Sequence, residues 1–213
     1  MTLSITLIII ALVCVTSFLA FNNAELKDRL LFVPYLIKKD KQFYRFLSSG
    51  FIHGDYFHLG INMFVLYQFG GYVENAFQSL FGAAGTMYYV TLFLAGVIIA
   101  GVPSYFKHQN HSYYRALGAS GAVSAVLYSF ILMNPMNSLY LMFIPIPIPA
   151  VIFGLLYLAY EFYASKRQTG DGIGHDAHFW GAVFGLLFTL ALKPSLGPEF
   201  IEKIKFGVQS LLG

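Results

Sequence analysis

The sequence predicts an all-α membrane protein, a bundle of six transmembrane helices, on three observations. Hydrophobic residues make up 57% of the 213-residue chain and charged residues only 11%, against about 25% charged in an ordinary soluble domain. Six apolar stretches have about the length that crosses a bilayer, roughly 17–25 residues. They lie at 2–21, 58–77, 82–102, 116–133, 146–163 and 176–192. The strongly polar residues inside them gather at the starts of the second, fourth and sixth.

Taken in order, the first stretch has no Lys or Arg ahead of it and no small-x-small site after it, so it reads as a retained helix rather than a cleaved signal. Segment 22–57 is polar and basic, with interspersed aromatics, which suits a loop lying on the membrane interface. Pro145, Pro147 and Pro149 predict extended backbone over 144–148, and a short fifth helix starting near Pro149. Residues 1–198 read as one membrane domain. The tail, 199–213, places Phe200, Ile201, Ile204, Val208, Leu211 and Leu212 on one helical face, which suits an interfacial amphipathic helix or a frayed end. The net charge of +3 is too small to argue for nucleic acid, and the single cysteine, Cys14, excludes an intrachain disulfide and any cysteine-based metal cluster.

The polar residues carry the chemistry. The second stretch opens with His58 and Asn62, the fourth with Gly118-Ala119-Ser120-Gly121, and the sixth with His175, Asp176 and His178. Even-numbered helices of a serpentine bundle run the same way, so these groups converge at one shallow depth. A serine hydroxyl is a weak nucleophile until a base takes its proton, and histidine suits that task. His58 and Asn62, spaced i, i+4, share a face and both can donate to an oxyanion. The backbone N–H of Ser120, near a helix start, is a third donor. Gly181 and Gly185 lie on the face of His178, and Gly121 and Ala125 flank Ser120, so small residues permit close helix approach.

These residues resemble the rhomboid family of intramembrane serine proteases over about 43–192. His58-x-x-x-Asn62 is similar to the family's second-helix motif, Gly118-Ala-Ser120-Gly121 to its nucleophile motif, and Ala177-His178-x-x-Gly181-x-x-x-Gly185 to its sixth-helix motif. Gly70-Gly71-x-x-Glu74 and Pro145-Ile-Pro-Ile-Pro149-Ala150 are further similarities. The resemblance implies a Ser120–His178 dyad, no third acidic residue and no cofactor. It implies His58 and Asn62 as oxyanion stabilisers, Gly118 as the motif glycine ahead of the nucleophile, and transmembrane proteins as substrates, cut near the membrane face. The fifth helix matches the family's mobile gate. Two departures stand out. Tyr44-Arg45 takes the place of a Trp-Arg pair common in the family, and Ser124 replaces an aromatic residue that packs on the catalytic histidine. The resemblance also implies a cytoplasmic N-terminus. With that topology ten Lys/Arg lie outside and three inside, the reverse of the positive-inside rule.

Other readings compete. Ser124 is the alternative nucleophile and His175 the rival base. A metal site on His58, His175 and His178 lacks a carboxylate or cysteine to complete it, so no metal is expected. His53 reads as a structural or water-binding residue at the end of the first loop, Asp176 as solvated, Glu74 as a tie between loop backbones, and Arg45 as a pairing residue within the first loop. His108 and His111 carry no expected chemistry. A rhomboid-like protein that binds transmembrane clients without cutting them is the alternative function, although both serine and histidine are present. A transporter would spread its polar groups along a path instead of clustering them at one depth. A compact six-helix core points to a bacterial or archaeal cell membrane.

Overall fold

The computed structural model describes residues 4–141, 144–167 and 173–212. Helix α1, Ile5–Phe21, buries Thr6, Ile9, Val13, Ser17 and Ala20, a stripe with helical spacing. Its opposite face exposes Leu7, Leu12, Val15, Phe18 and Leu19. A helix apolar on its outer face as well as its inner one suits a lipid environment.

The first loop folds into α2 (Ala24–Leu30), α3 (Pro34–Asp40), α4 (Arg45–Ser48) and a 3₁₀ turn, Ser49–Phe51. Asn23 caps α2 by accepting from the Leu26 N–H, Pro34 opens α3, and Lys41 ends it with φ of 57°. Arg45, 4% exposed, knits the loop as expected. Its Nη1 donates to the carbonyls of Asp28 (2.7 Å) and Leu31 (2.8 Å), and its Nε to Gln42 Oε1 (2.6 Å).

The second long helix is α5 (Tyr56–Val65) continued through a π-turn, Leu66–Gly70, into α6 (Gly71–Phe81). It therefore outruns the expected 58–77. At Gly70 a Cβ would come within 2.6 Å of the Tyr89 hydroxyl and 2.8 Å of Thr6 Cγ2, so the glycine lets three helices meet. After Gly82 (φ 57°) come α7 (Ala84–His108) and α8 (Ser120–Met133). Strands β1 (Ser138–Leu141) and β2 (Ile144–Pro149) pair antiparallel, Ser138 opposite Pro149. The proline-rich segment is thus extended, as its spacing predicts. Helix α9, Ala150–Arg167, is longer than the short fifth helix expected, because nothing after Pro149 breaks it. Helix α10 spans His175–Leu192, and α11, Leu196–Leu212, leaves it at 110°. Helix α11 begins before the predicted tail boundary. Buried Leu196 and the Lys203 Nζ bond to the Met133 carbonyl (2.6 Å) seat it on the bundle.

Helix α8 is the axis of the fold, with every residue from Gly121 to Met133 buried. Gly96 of α7 faces Ala122, while Gly181 and Gly185 of α10 press on the backbone of Gly121 and Ala125. Of the described helices, α7 is long and apolar enough to cross a membrane by itself; α10 and α11 qualify together if the bent pair is one span. Helices α1 and α8 are apolar but shorter.

Glu74 differs from its expected role. Its carboxylate, 4% exposed, does not bridge loops but caps the start of α1. It accepts from Ser4 Oγ (2.8 Å), the N–H groups of Ile5 (2.8 Å) and Thr6 (3.0 Å), and Thr6 Oγ1 (2.8 Å). A carboxylate there meets orphan N–H donors and the positive end of the helix dipole. Glu74→Ala is expected to lower stability by about 3 kcal/mol in detergent unfolding. Glu74→Gln should lose less, since its amide oxygen still accepts.

Candidate active site

The starts of α5, α8 and α10 meet at one end of the bundle, as the serpentine argument expects. Asp55 caps α5 by accepting the His58 N–H at 2.8 Å, which sets the helix phase and carries His58 and Asn62 to one face. Gly118 holds φ of +118°, and a Cβ there would lie 2.8 Å from His58 Cε1 and 3.0 Å from Nε2. Backbone conformation and the imidazole thus both demand glycine at this point. The helix of α8 starts only at Ser120, because Gly118 is not helical.

The approach to Ser120 is pinned from two sides. The Gly118 N–H donates to the Ser49 carbonyl at 2.9 Å. The Ala119 N–H donates to His53 Nε2 at 3.3 Å, and His53 Nδ1 meets Ser17 Oγ at 3.0 Å. His53 is fully buried. It is therefore structural, as expected, and its specific task is to tie the segment before Ser120 to α1. Burial holds its pKa down to about 3. Below about pH 6.5 the unfolded chain takes up a proton that His53 refuses until about pH 3. Its contribution to stability is complete above about pH 6.5 and falls by about 1.4 kcal/mol per unit as the pH drops through that window. His53→Gln should flatten the acid side of an unfolding-versus-pH curve.

Ser120 and His178 are both partly exposed at this end, on helices in backbone contact. A Cβ on Gly181 would strike the Gly121 carbonyl and lie 2.9 Å from Gly121 Cα, and one on Gly121 would lie 3.3 Å from the Ala177 carbonyl. His58 is within electrostatic reach of His178. The N–H groups of Ser120 and Gly121 precede the first intrahelical bond of α8, which runs from Val123 N–H to Ala119 O at 2.9 Å. The helix does not need them, so they can serve an oxyanion. The Gly118 and Ala119 N–H groups are already committed. Asn62 is buried, and its Nδ2 donates back to the His58 carbonyl at 2.9 Å.

Glu161 of α9 belongs to the site, although no sequence motif marks it. Its carboxylate is 3% exposed. Oε1 accepts from His178 Nδ1 at 3.0 Å and Oε2 from His175 Nδ1 at 2.6 Å. One turn earlier on α9, Tyr157 stacks its ring on His178, with centroids 6.3 Å apart and planes at 23°. The Tyr157 hydroxyl interacts with Ser124 and Glu161. The ring absent at Ser124 is thus supplied from another helix, and buried Ser124 supports it. His175 is buried against the carboxylate, and Asp176, partly exposed to solvent, is also paired with Lys107 (3.0 Å). Glu161 was legible in one respect: it is an ionisable residue well inside the fifth apolar stretch, and such residues mark functional sites.

Glu161, His175 and His178 also form a three-donor group with ligand atoms within 4.8 Å of one another. Glu161 is a carboxylate beside His175 and His178, which the set of His58, His175 and His178 lacks. The 2.6 and 3.0 Å separations are hydrogen-bond lengths. They are shorter than the roughly 3.3 Å between ligand atoms that tetrahedral zinc imposes at bonds of about 2.0–2.1 Å. In this arrangement the donors share protons.

Fold and site together define an α-helical membrane protein with a hydroxyl and an imidazole at touching helix starts. The Rhomboid domain matches residues 40–195, and the chain belongs to the rhomboid family. It is 30% identical over 162 residues to RHOMBOID-like protein 12, mitochondrial, of Arabidopsis thaliana, covering 68% of this chain and 45% of that protein. It is 28% identical over 168 residues to the presenilin-associated rhomboid-like protein, mitochondrial, of Homo sapiens, covering 74% and 38%. It is 28% identical over 189 residues to the rhomboid protease GlpG of Haemophilus influenzae, covering 86% and 88%. The chain thus spans less than half the length of the two mitochondrial relatives. Those relatives do not support the expected bacterial or archaeal cell membrane.

Proposed function

We propose that the protein is an intramembrane serine endopeptidase that cleaves transmembrane segments of other membrane proteins. Six helices, α1, α5–α6, α7, α8, α9 and α10, cross the bilayer, and α11 lies along its surface as a tail. Ser120 attacks the scissile carbonyl while His178 takes the hydroxyl proton and passes it to the leaving amine. The Ser120 and Gly121 N–H groups, with His58 and Asn62, receive the oxyanion. One N–H of the Asn62 amide bonds the His58 carbonyl, and its second N–H is the donor for the oxyanion. Gly118 serves by leaving room for His58 beside the nucleophile. The reaction needs no metal or cofactor in this reading.

One observation carries it. The starts of α8 and α10 are in backbone contact through Gly121 and Gly181, one residue from Ser120 and three from His178, with His58 packed on Gly118 beside them. The relative named a rhomboid protease, matched over most of both chains, supports the same reading. The test is cleavage of a tagged single-span substrate by purified protein in detergent, beside Ser120→Ala and His178→Ala. Cleavage by the parent protein alone supports the dyad. A folded parent that binds substrates but cuts none supports the client-binding alternative.

A further inference from the structure

We propose that Glu161 is a positioning residue for His178, so that the general base is competent only while α9 is docked against α10. This rests on the Ser120–His178 reading and extends it. An ionised carboxylate can only accept hydrogen bonds. Its two bonds therefore place the proton on Nδ1 of both His175 and His178. A neutral imidazole has one N–H, so fixing it at Nδ1 leaves the Nε2 lone pair of His178 for the serine proton. When that proton moves from Ser120 Oγ to Nε2, the imidazolium faces a carboxylate oxygen 3.0 Å from Nδ1. Glu161 stays ionised throughout, and the proton goes on to the leaving amine nitrogen.

Position and burial argue against an incidental contact. A carboxylate within the membrane region is costly unless it is paired, and both oxygens of Glu161 are used. The shorter bond, from His175 at 2.6 Å, turns the carboxylate so that Oε1 faces His178. Tyr157 lies four residues earlier on the same face of α9 and covers the His178 ring. Helix α9 thus brings both a ring and a carboxylate to the base, while the nucleophile sits on α8. Displacing α9 removes both at once. This differs from the arrangement implied by the family resemblance, in which no acidic residue takes part.

The isosteric variant Glu161→Gln separates positioning from packing. An amide can accept from one histidine but must donate to the other, and a histidine that accepts at Nδ1 carries its proton on Nε2. With purified full-length protein, a tagged single-span substrate and a serine-directed fluorophosphonate probe, Glu161→Gln should lower kcat by about 100- to 10,000-fold. KM should stay within about threefold and the probe should label Ser120 correspondingly slowly. Glu161→Asp should recover part of the loss. A kcat within threefold of the parent in Glu161→Gln overturns the proposal. If Glu161→Gln unfolds, Glu161→Asp decides: a reduced kcat at unchanged KM and melting midpoint supports positioning, and an unchanged kcat overturns it. Activity abolished by a chelator and restored by zinc makes the cluster a metal site and also overturns it. If the parent neither cuts nor labels, and Ser120→Ala matches it, the Ser–His reading fails and the proposal falls with it.

Discussion

Ser120→Ala is expected to lower kcat by about 10⁶-fold, His178→Ala by a similar factor, and the double variant no further. Nucleophile and base act as one unit, so removing either forfeits the whole of their joint contribution. What remains is the residual rate from oxyanion donors and binding, about 10³- to 10⁴-fold above water. The measurement is the double-mutant cycle on the cleavage rate of a tagged single-span substrate. Additive losses would mean that Ser120 and His178 do not work together. The rivals give a sharper control. Ser124 is 4% exposed and engaged by Tyr157, and His175 is 4% exposed and bound to Glu161 at 2.6 Å. Ser124→Ala and His175→Gln should therefore retain Ser120 labelling by a fluorophosphonate, more slowly, whereas Ser120→Ala should lose it.

Much of this arrangement is legible in sequence, and what escapes has physical causes. The six apolar stretches foretell the order of the long helices because hydrophobic runs report burial or lipid contact without reference to neighbours. Their ends are less legible. The π-turn at Leu66–Gly70 that extends the second helix answers to Tyr89 and Thr6, which lie elsewhere in the chain. The convergence of His58, Ser120 and His178 follows from helix direction alone. The tether from His53 to Ala119 does not, since it crosses 66 residues and depends on a loop path. Tyr157 and Glu161 form a readable i, i+4 pair, and a carboxylate in an apolar stretch is a signal in itself. Their target on α10 is set by how α9 docks, and no local pattern encodes that. Ser124, which reads as a departure from the family pattern, makes sense only beside Tyr157.

The glycine seam between α8 and α10 should be the least forgiving part of the molecule. A Cβ on Gly181 would collide with the carbonyl of Gly121 and lie 2.9 Å from its Cα, and one on Gly185 would collide with the carbonyl of Ala125 and lie 2.6 Å from its Cα. The obstacles are backbone atoms, so no side-chain rotation relieves them; the helices must part. Small residues at membrane helix interfaces permit this approach, and the packing they allow is the main force between the helices. Overpacking costs roughly 1–3 kcal/mol where side chains can adjust. Gly181→Val, with two branches against a rigid backbone, should exceed the upper end of that range and lower the detergent unfolding midpoint markedly. Gly181→Ala is the more informative variant, because its single methyl forces α8 and α10 apart by less than the branched side chain of valine does. A shift of about 1 Å between nucleophile and base costs on the order of 100-fold in rate. Gly181→Ala should thus lose cleavage out of proportion to its loss of stability. Gly60→Ala on α5, where a Cβ meets nothing within 4 Å, should leave both unchanged. Parent-like cleavage by Gly181→Ala would mean that the close contact of α8 and α10 does not set the distance between Ser120 and His178.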